Sequence, residues 1–301
     1  MLASSNDTRS DDPTAPNAEA IDAMWADTHS RLDVDAKRRY AGGFSGLARV
    51  VVRLGRAQPD ALAGVIAVGG RLAEEARAKQ AWPFALFGAA GEEDFNHPEM
   101  WRLEELLAAN RTPHRIVSFE GGHQWLPKAL AMEALDWFAV RAIADGRPAP
   151  DGVVERYRST VHARAEALEA AGRPGEALRT WQGLADDLAG AGGSAAAAAQ
   201  VTRLGAAARR DLESVRKQTE RDRAWIEDAN ASTGILEREP PPPLSELMGH
   251  FDVVALRKQA AGGDPALARS ASRRLSLVAT NAGFYVPERL KARRLFANAV
   301  R

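Results

Sequence analysis

Arg38-Arg39-Tyr40-Ala41-Gly42-Gly43-Phe44-Ser45-Gly46-Leu47 is the stretch that decides the fold. Arg38 to Gly43 reads as a short strand, and residues 46–57 alternate apolar and basic positions as a helix does. Ser45 sits at the join, between Phe44 and Gly46. A serine there can occupy a strained strand-to-helix turn that holds its hydroxyl above the carboxyl edge of a sheet. Small neighbours suit that turn because the helix passes close to the strand. Gly46 opens the helix, so its amide is aimed at negative charge developing near the serine.

Two later stretches end strands in the same way. Pro83 to Gly88 is an apolar run followed by Gly91-Glu92-Glu93-Asp94-Phe95-Asn96. Arg115 to Phe119 is followed by Glu120-Gly121-Gly122-His123-Gln124-Trp125. Asp94 is the expected acid, with Glu92 and Glu93 as competitors and His97 close by. His123 is the expected base, carried on a glycine-rich loop that can bring its ring over Ser45. Together they provide a nucleophile, a base and an orienting carboxylate. Phe44 and Trp125 are the candidate walls of a substrate pocket, although packing against the following helix is the more ordinary use of Trp125. A glycine-bounded run, Gly64 to Gly69, supplies another buried strand. Helical patterns cover 18–32, 98–110 and 127–144. In 18–32, Ala18, Ile21, Met24, Trp25 and His29 share a face, and 127–144 offers Leu130, Met132, Leu135, Trp137 and Phe138 for burial. Alternating strands and helices predict an α/β domain with a parallel sheet over residues 1–147.

After the turn-rich segment Asp145 to Pro150, every periodic segment is helical, which predicts an all-α domain over 148–301. Its helices are expected at 153–171, 176–188, 194–229, 244–260, 264–280 and 286–300, with Pro240 to Pro243 as a stiff spacer. Ala163, Ala167, Leu168, Ala177, Leu178, Trp181 and Leu184 suit close antiparallel packing. The run AEALEAAGRPGEALRTWQGLADDL resembles one tetratricopeptide unit, without a following repeat near 34 residues. Three uses of this region stay open in the sequence: capping the site, binding a protein partner and mediating assembly.

Composition narrows the chemistry. The 301 residues carry 40 basic and 40 acidic side chains, so bulk attraction to nucleic acid is not expected. The basic clusters Arg273-Arg274 and Lys291 to Arg294 read as solvated helix faces. Cysteine is absent, which excludes disulfides and thiolate nucleophiles. The six histidines have no metal-ligand spacing, so no metal and no other cofactor is expected. No apolar run is long enough to span a membrane. Residues 1–16 lack the features of a signal peptide, and a start further upstream would leave the compartment open.

The segments VDAKRRYAGGFSGLARVV, FGAAGEEDFN and FEGGHQW resemble the C-terminal half of an α/β-hydrolase. The likeness covers residues 18–145 and is nearest the polyhydroxybutyrate-depolymerase, dienelactone-hydrolase and carboxylesterase-like groups. It implies hydrolysis of an ester, or of a peptide-like bond as second choice, through an acyl-enzyme. Ser45 would attack, His123 would relay the proton, Asp94 would orient His123, and Gly46 would donate to the oxyanion. Leu47 departs from the family's G-x-S-x-G and is expected to crowd the turn. The family also places strands before the serine, together with a second oxyanion donor. Only 44 residues precede Ser45 here, which predicts an incomplete sheet and the reading of a truncated hydrolase. Losing such a donor costs about 10²–10³ in turnover. The alternatives are a catalytically impaired hydrolase half and a non-enzymatic interaction scaffold built on the helical part.

Overall fold

The structure is a computed structural model that describes residues 17–72, 80–238 and 242–285. Expectations for residues 1–16, for Pro240 and Pro241, and for the helix at 286–300 with its Lys291 to Arg294 cluster lie outside the described residues. So do the side chain of Ala18 and residues 73–79.

Four strands form one sheet: β1 (Tyr40–Phe44), β2 (Gly64–Val68), β3 (Ala85–Gly91) and β4 (His114–Phe119). They run parallel in the order β1-β2-β3-β4. Parallel neighbours need crossovers. Helix α2 (Gly46–Ala57) connects β1 to β2, and α3 (His97–Ala109) connects β3 to β4; α1 (Asn17–Arg31) precedes the sheet. The molecule is therefore α/β in this region. Strand β1 starts two residues later than its pattern suggests. Ala36–Arg38 instead forms a 3-10 turn, capped by the Asp35 carboxylate accepting from the Lys37 amide at 2.9 Å. Strand β3 runs on to Gly91 because Ala89, Ala90 and Gly91 pair with Val117, Ser118 and Phe119.

Alternate side chains of the strands feed one core. Val65 and Ala67 of β2 and Leu86 and Ala90 of β3 meet Val51 and Val52 of α2 and Leu103 and Leu107 of α3. Trp25 of α1 packs at its edge. Each large side chain removed from water here contributes about 1.5–3 kcal/mol.

The helical remainder consists of α4 (Lys128–Ala144), α5 (Val153–Ala170), α6 (Pro174–Leu188), α7 (Ser194–Ala231), α8 (Leu244–His250), α9 (Val253–Ala260) and α10 (Pro265–Tyr285), with a 3-10 turn at Thr233–Glu237. The helix expected over 244–260 is two helices. Asp252 takes a left-handed conformation, φ 50° and ψ 32°, at their junction. The long helix at 194–231 is broken at Gly205, where φ is 63° and ψ −152°.

The linear boundary expected at 147/148 is not how the chain divides. One compact unit comprises the residues up to Trp125 and those from Thr219 onward; the other is Leu126–Gln218. The reason is visible at both ends. Helix α4 packs on α5 and α6 within the second unit. In the first unit, Arg273 of α10 donates to the Glu92 carbonyl at 2.5 Å, so the C-terminal helices return to the sheet. Their own core gathers Ile226, Leu236, Leu247, Phe251, Val253 and Leu277.

In the second unit, Trp137 and Tyr157 both donate to the buried carboxylate of Asp187. Arg164 pairs with buried Glu133. Gly175 lies where a Cβ would come within 2.3 Å of the Leu212 amide, so the α6–α7 crossing requires glycine. Not every expected packing residue is used. Ala163 and Ala167 are exposed, their face of α5 being replaced by Val153, Tyr157, Val161 and Ala165. Met132 and Leu135 are 52% and 45% exposed, because α4 buries Leu130, Ala134, Trp137 and Phe138 instead.

Candidate active site

Ser45 occupies the turn that its neighbours predict. Its φ of 56° and ψ of −123° are strained for a residue with a Cβ, at a cost of about 1–3 kcal/mol. The surrounding structure holds it there. The Ser45 amide donates to the Val68 carbonyl at 2.8 Å, continuing the β1–β2 pairing. A Cβ on Gly43 would lie 2.3 Å from the Leu47 carbonyl oxygen, so the strand and the returning helix can meet only because Gly43 lacks one. Leu47 is half-buried on α2. The crowding expected from it is a backbone contact, and Gly43 accommodates it. Gly46 is the first residue of α2, so its N–H has no acceptor within the helix.

Three loops converge on this turn. His123 Nε2 lies 3.0 Å from Ser45 Oγ. His123 Nδ1 lies 3.1 and 3.0 Å from the two oxygens of Asp94. With the proton on Nδ1 donated to Asp94, Nε2 is left to accept from the serine hydroxyl. Asp94 is fully buried, while the His123 side chain is 20% exposed. Asp94 also accepts from the Asn96 amide at 2.7 Å. The acid loop and the histidine loop touch at Gly91, where a Cβ would lie 2.3 Å from the carbonyls of Gly121 and Gly122. The Glu93 amide donates to the Gly121 carbonyl at 2.9 Å, tying the two loops together.

The competing groups are placed elsewhere. The Glu92 carboxylate is 3.4 Å from Arg269, and Glu93 is exposed. His97 is buried with Nε2 2.9 Å from Ser118 Oγ. Phe44 and Trp125 lie together beside the imidazole. Phe44 stacks on His123 with centroids 4.6 Å apart and meets Trp125 edge-on at 6.2 Å. Trp125 lies against Gly42 and is 48% exposed. Neither lines the cavity that opens at Ser45.

That cavity, of about 270 Å³, is lined by Ser45, Phe95 and Asn96 on the sheet side and by Ile226, Leu277 and Asn281 of the C-terminal helices. Sequence reasoning missed this wall. Phe95 belongs to both sides: it packs against the C-terminal core and its ring lies 4.6 Å from His123. The imidazole is thus in ring contact with both Phe44 and Phe95. Asn96 donates to the Gly69 carbonyl at 2.7 Å, joining the acid loop to the end of β2. Both residues lie within two positions of Asp94, a signal that was available; the residues from α7 and α10 left none.

An ionic cluster holds the C-terminal wall to the acid loop. Asp222, fully buried, accepts from Ser270 at 2.6 Å, from Arg273 at 2.9 Å and from Arg274 at 2.9 Å. Arg273 also holds the Glu92 carbonyl, two residues from Asp94. Burial lowers the pKa of the Arg273 guanidinium, and Asp222 opposes that shift.

Among the described residues, no group of three or more His, Cys, Asp or Glu side chains is placed to hold a metal ion, and no helix is long and apolar enough to cross a membrane. Comparison with known proteins returns no family model, no curated protein and no solved structure that the chain matches.

Proposed function

We propose that this chain is a serine hydrolase of the α/β-hydrolase kind that cleaves a small ester through an acyl-enzyme. The observation that carries the reading is the hydrogen-bonded line from Ser45 Oγ to His123 Nε2 and from His123 Nδ1 to the buried Asp94 carboxylate. Ser45 Oγ attacks the ester carbonyl as its proton passes to His123 Nε2. Asp94 steadies the resulting imidazolium. The Gly46 N–H, at the start of α2, donates to the oxyanion of the tetrahedral intermediate. Collapse expels the alkoxide, which takes the proton from His123 and leaves the acyl group on Ser45. Water then attacks with His123 as base, releasing the acid and restoring the serine.

The residue inventory suits this chemistry. The strained turn presents the hydroxyl, and Phe44 and Phe95 both pack on the imidazole. Labelling with a fluorophosphonate probe tests the reading. Wild-type protein becomes labelled on Ser45 and loses labelling in Ser45→Ala. Wild-type protein that is folded by circular dichroism and stays unlabelled overturns it.

A further inference from the structure

The cavity at Ser45 has more positive side chains than a pocket for a purely apolar ester would use. Arg49, Arg71 and Arg223 line it, against the carboxylates of Glu99 and Glu227. Arg223 is already engaged. It is paired with Glu220 and Glu227, and the Glu220 hydrogen bond raises its pKa. Arg49 and Arg71 complete the positive lining. Gly70 packs against Ala48, where a Cβ would lie 2.7 Å from the Ala48 Cβ and 3.4 Å from the Ser45 carbonyl. Arg49 follows Ala48 on α2 and Arg71 follows Gly70 in the segment after β2, so the two residues join the cavity lining from chain segments that meet beside Ser45. Arg71 is exposed and has no hydrogen-bond or ion-pair partner among the described residues.

We infer that the substrate carries an anionic group, held by Arg71 while its ester carbonyl lies at Ser45, with Arg49, which has an interaction of its own, lining the same cavity. This rests on the hydrolase reading above and names its substrate class. A guanidinium presents a planar fork that matches a carboxylate with two parallel hydrogen bonds. The small cavity limits the distance between the anion and the scissile carbonyl to a few bonds. A short dicarboxylic half-ester has both features: one carbonyl to acylate Ser45 and one carboxylate for Arg71. The ester bond breaks between carbonyl carbon and alcohol oxygen; the second carboxylate is unchanged throughout.

The test compares p-nitrophenyl hemisuccinate with p-nitrophenyl levulinate, which has a neutral acetyl group in place of the carboxylate. Release of p-nitrophenolate is followed for each, with the Ser45→Ala rate subtracted to remove self-hydrolysis of the half-ester. The wild-type kcat/KM ratio favours the hemisuccinate by about tenfold, as expected for one charge-assisted contact. R71Q lowers that ratio about tenfold and R49Q lowers it less. Raising the salt concentration lowers it in the wild type. Arg71 is exposed, so R71Q does not threaten the fold. A wild-type ratio of one or below, or a ratio unaltered in both variants, overturns the inference. Where fluorophosphonate labelling of Ser45 persists, only the substrate class falls. Absence of Ser45-dependent labelling overturns the hydrolase reading and this inference with it.

Discussion

Asp94 and Asp187 are both buried aspartates, one in the sheet unit and one in the helical unit. Each accepts from at least two donors. Asp94 receives His123 and the Asn96 amide; Asp187 receives Trp137 and Tyr157. The difference lies in what stands behind the donor. Behind His123 is a second acceptor position, Nε2, and then a serine hydroxyl at a cavity. Trp137 and Tyr157 are fully buried, and an indole or phenol does not take up and pass on a proton near neutral pH as an imidazole does. A buried carboxylate alone is thus no sign of chemistry. It becomes one when its partner can pass a proton onward to a group that reaches open space.

The comparison breaks or holds on matched substitutions. Asp94→Asn should lower kcat by about 10⁴ while the fold persists, because the amide no longer holds the tautomer that accepts the serine proton. Steady-state turnover and circular dichroism on one preparation check this; a loss below tenfold would remove Asp94 from the proposed mechanism. Asp222→Ala should cost about 3–5 kcal/mol, since Arg273 would remain buried without its counter-ion. Urea denaturation reads that loss, and a change under 1 kcal/mol would mean that the cluster does not hold the C-terminal helices to the acid loop. Asp187→Asn is the smaller counterpart. The amide oxygen still accepts one of the two donors, so destabilisation of about 1–3 kcal/mol is expected with turnover per folded molecule unaltered. Loss of turnover in folded Asp187→Asn would break the distinction between the two aspartates.

The parts of this architecture legible in the sequence are those encoded within a few residues. The strand-turn-helix at Ser45 shows because Gly42, Gly43 and Gly46 leave no other economical use for that run. The β-α alternation shows because β2 and β3 are short, apolar and bounded by glycine or proline. Asp94 could be chosen over Glu92 and Glu93 by its place after β3, and the geometry puts its carboxylate beside His123. The C-terminal wall was not legible. Arg273 and Glu92 lie 181 positions apart, and a pairing at that separation leaves no periodicity to read. The assignment of Arg273-Arg274 to a solvated face fails for the same reason: Arg273 is 7% exposed, and its partner Asp222 is on another helix. The break at Asp252 was hidden because a single left-handed residue does not disturb an apolar pattern on either side.

The smallest expected effect concerns a carboxylate between the two extremes. Glu169 of α5 accepts from Arg203 at 2.6 Å and from Trp181 at 2.9 Å, but its side chain is 22% exposed and Arg203 is 53% exposed. The Arg203 hydrogen bond holds its pKa below the ordinary glutamate value, Trp181 lowers it further, and burial opposes them. A carboxylate with a lowered folded pKa stabilises the protein fully above its unfolded pKa, and that contribution disappears as pH falls through the folded value. Arg203→Gln should return Glu169 toward its ordinary value. Less stability is then lost on acidification across the carboxylate range, while stability at neutral pH falls by less than about 1 kcal/mol, because water screens an exposed guanidinium. Thermal unfolding at matched pH values resolves the two slopes. An unchanged acid slope would assign the Glu169 contribution to Trp181 alone, making its behaviour that of Asp187, a carboxylate held by indole and core rather than by charge.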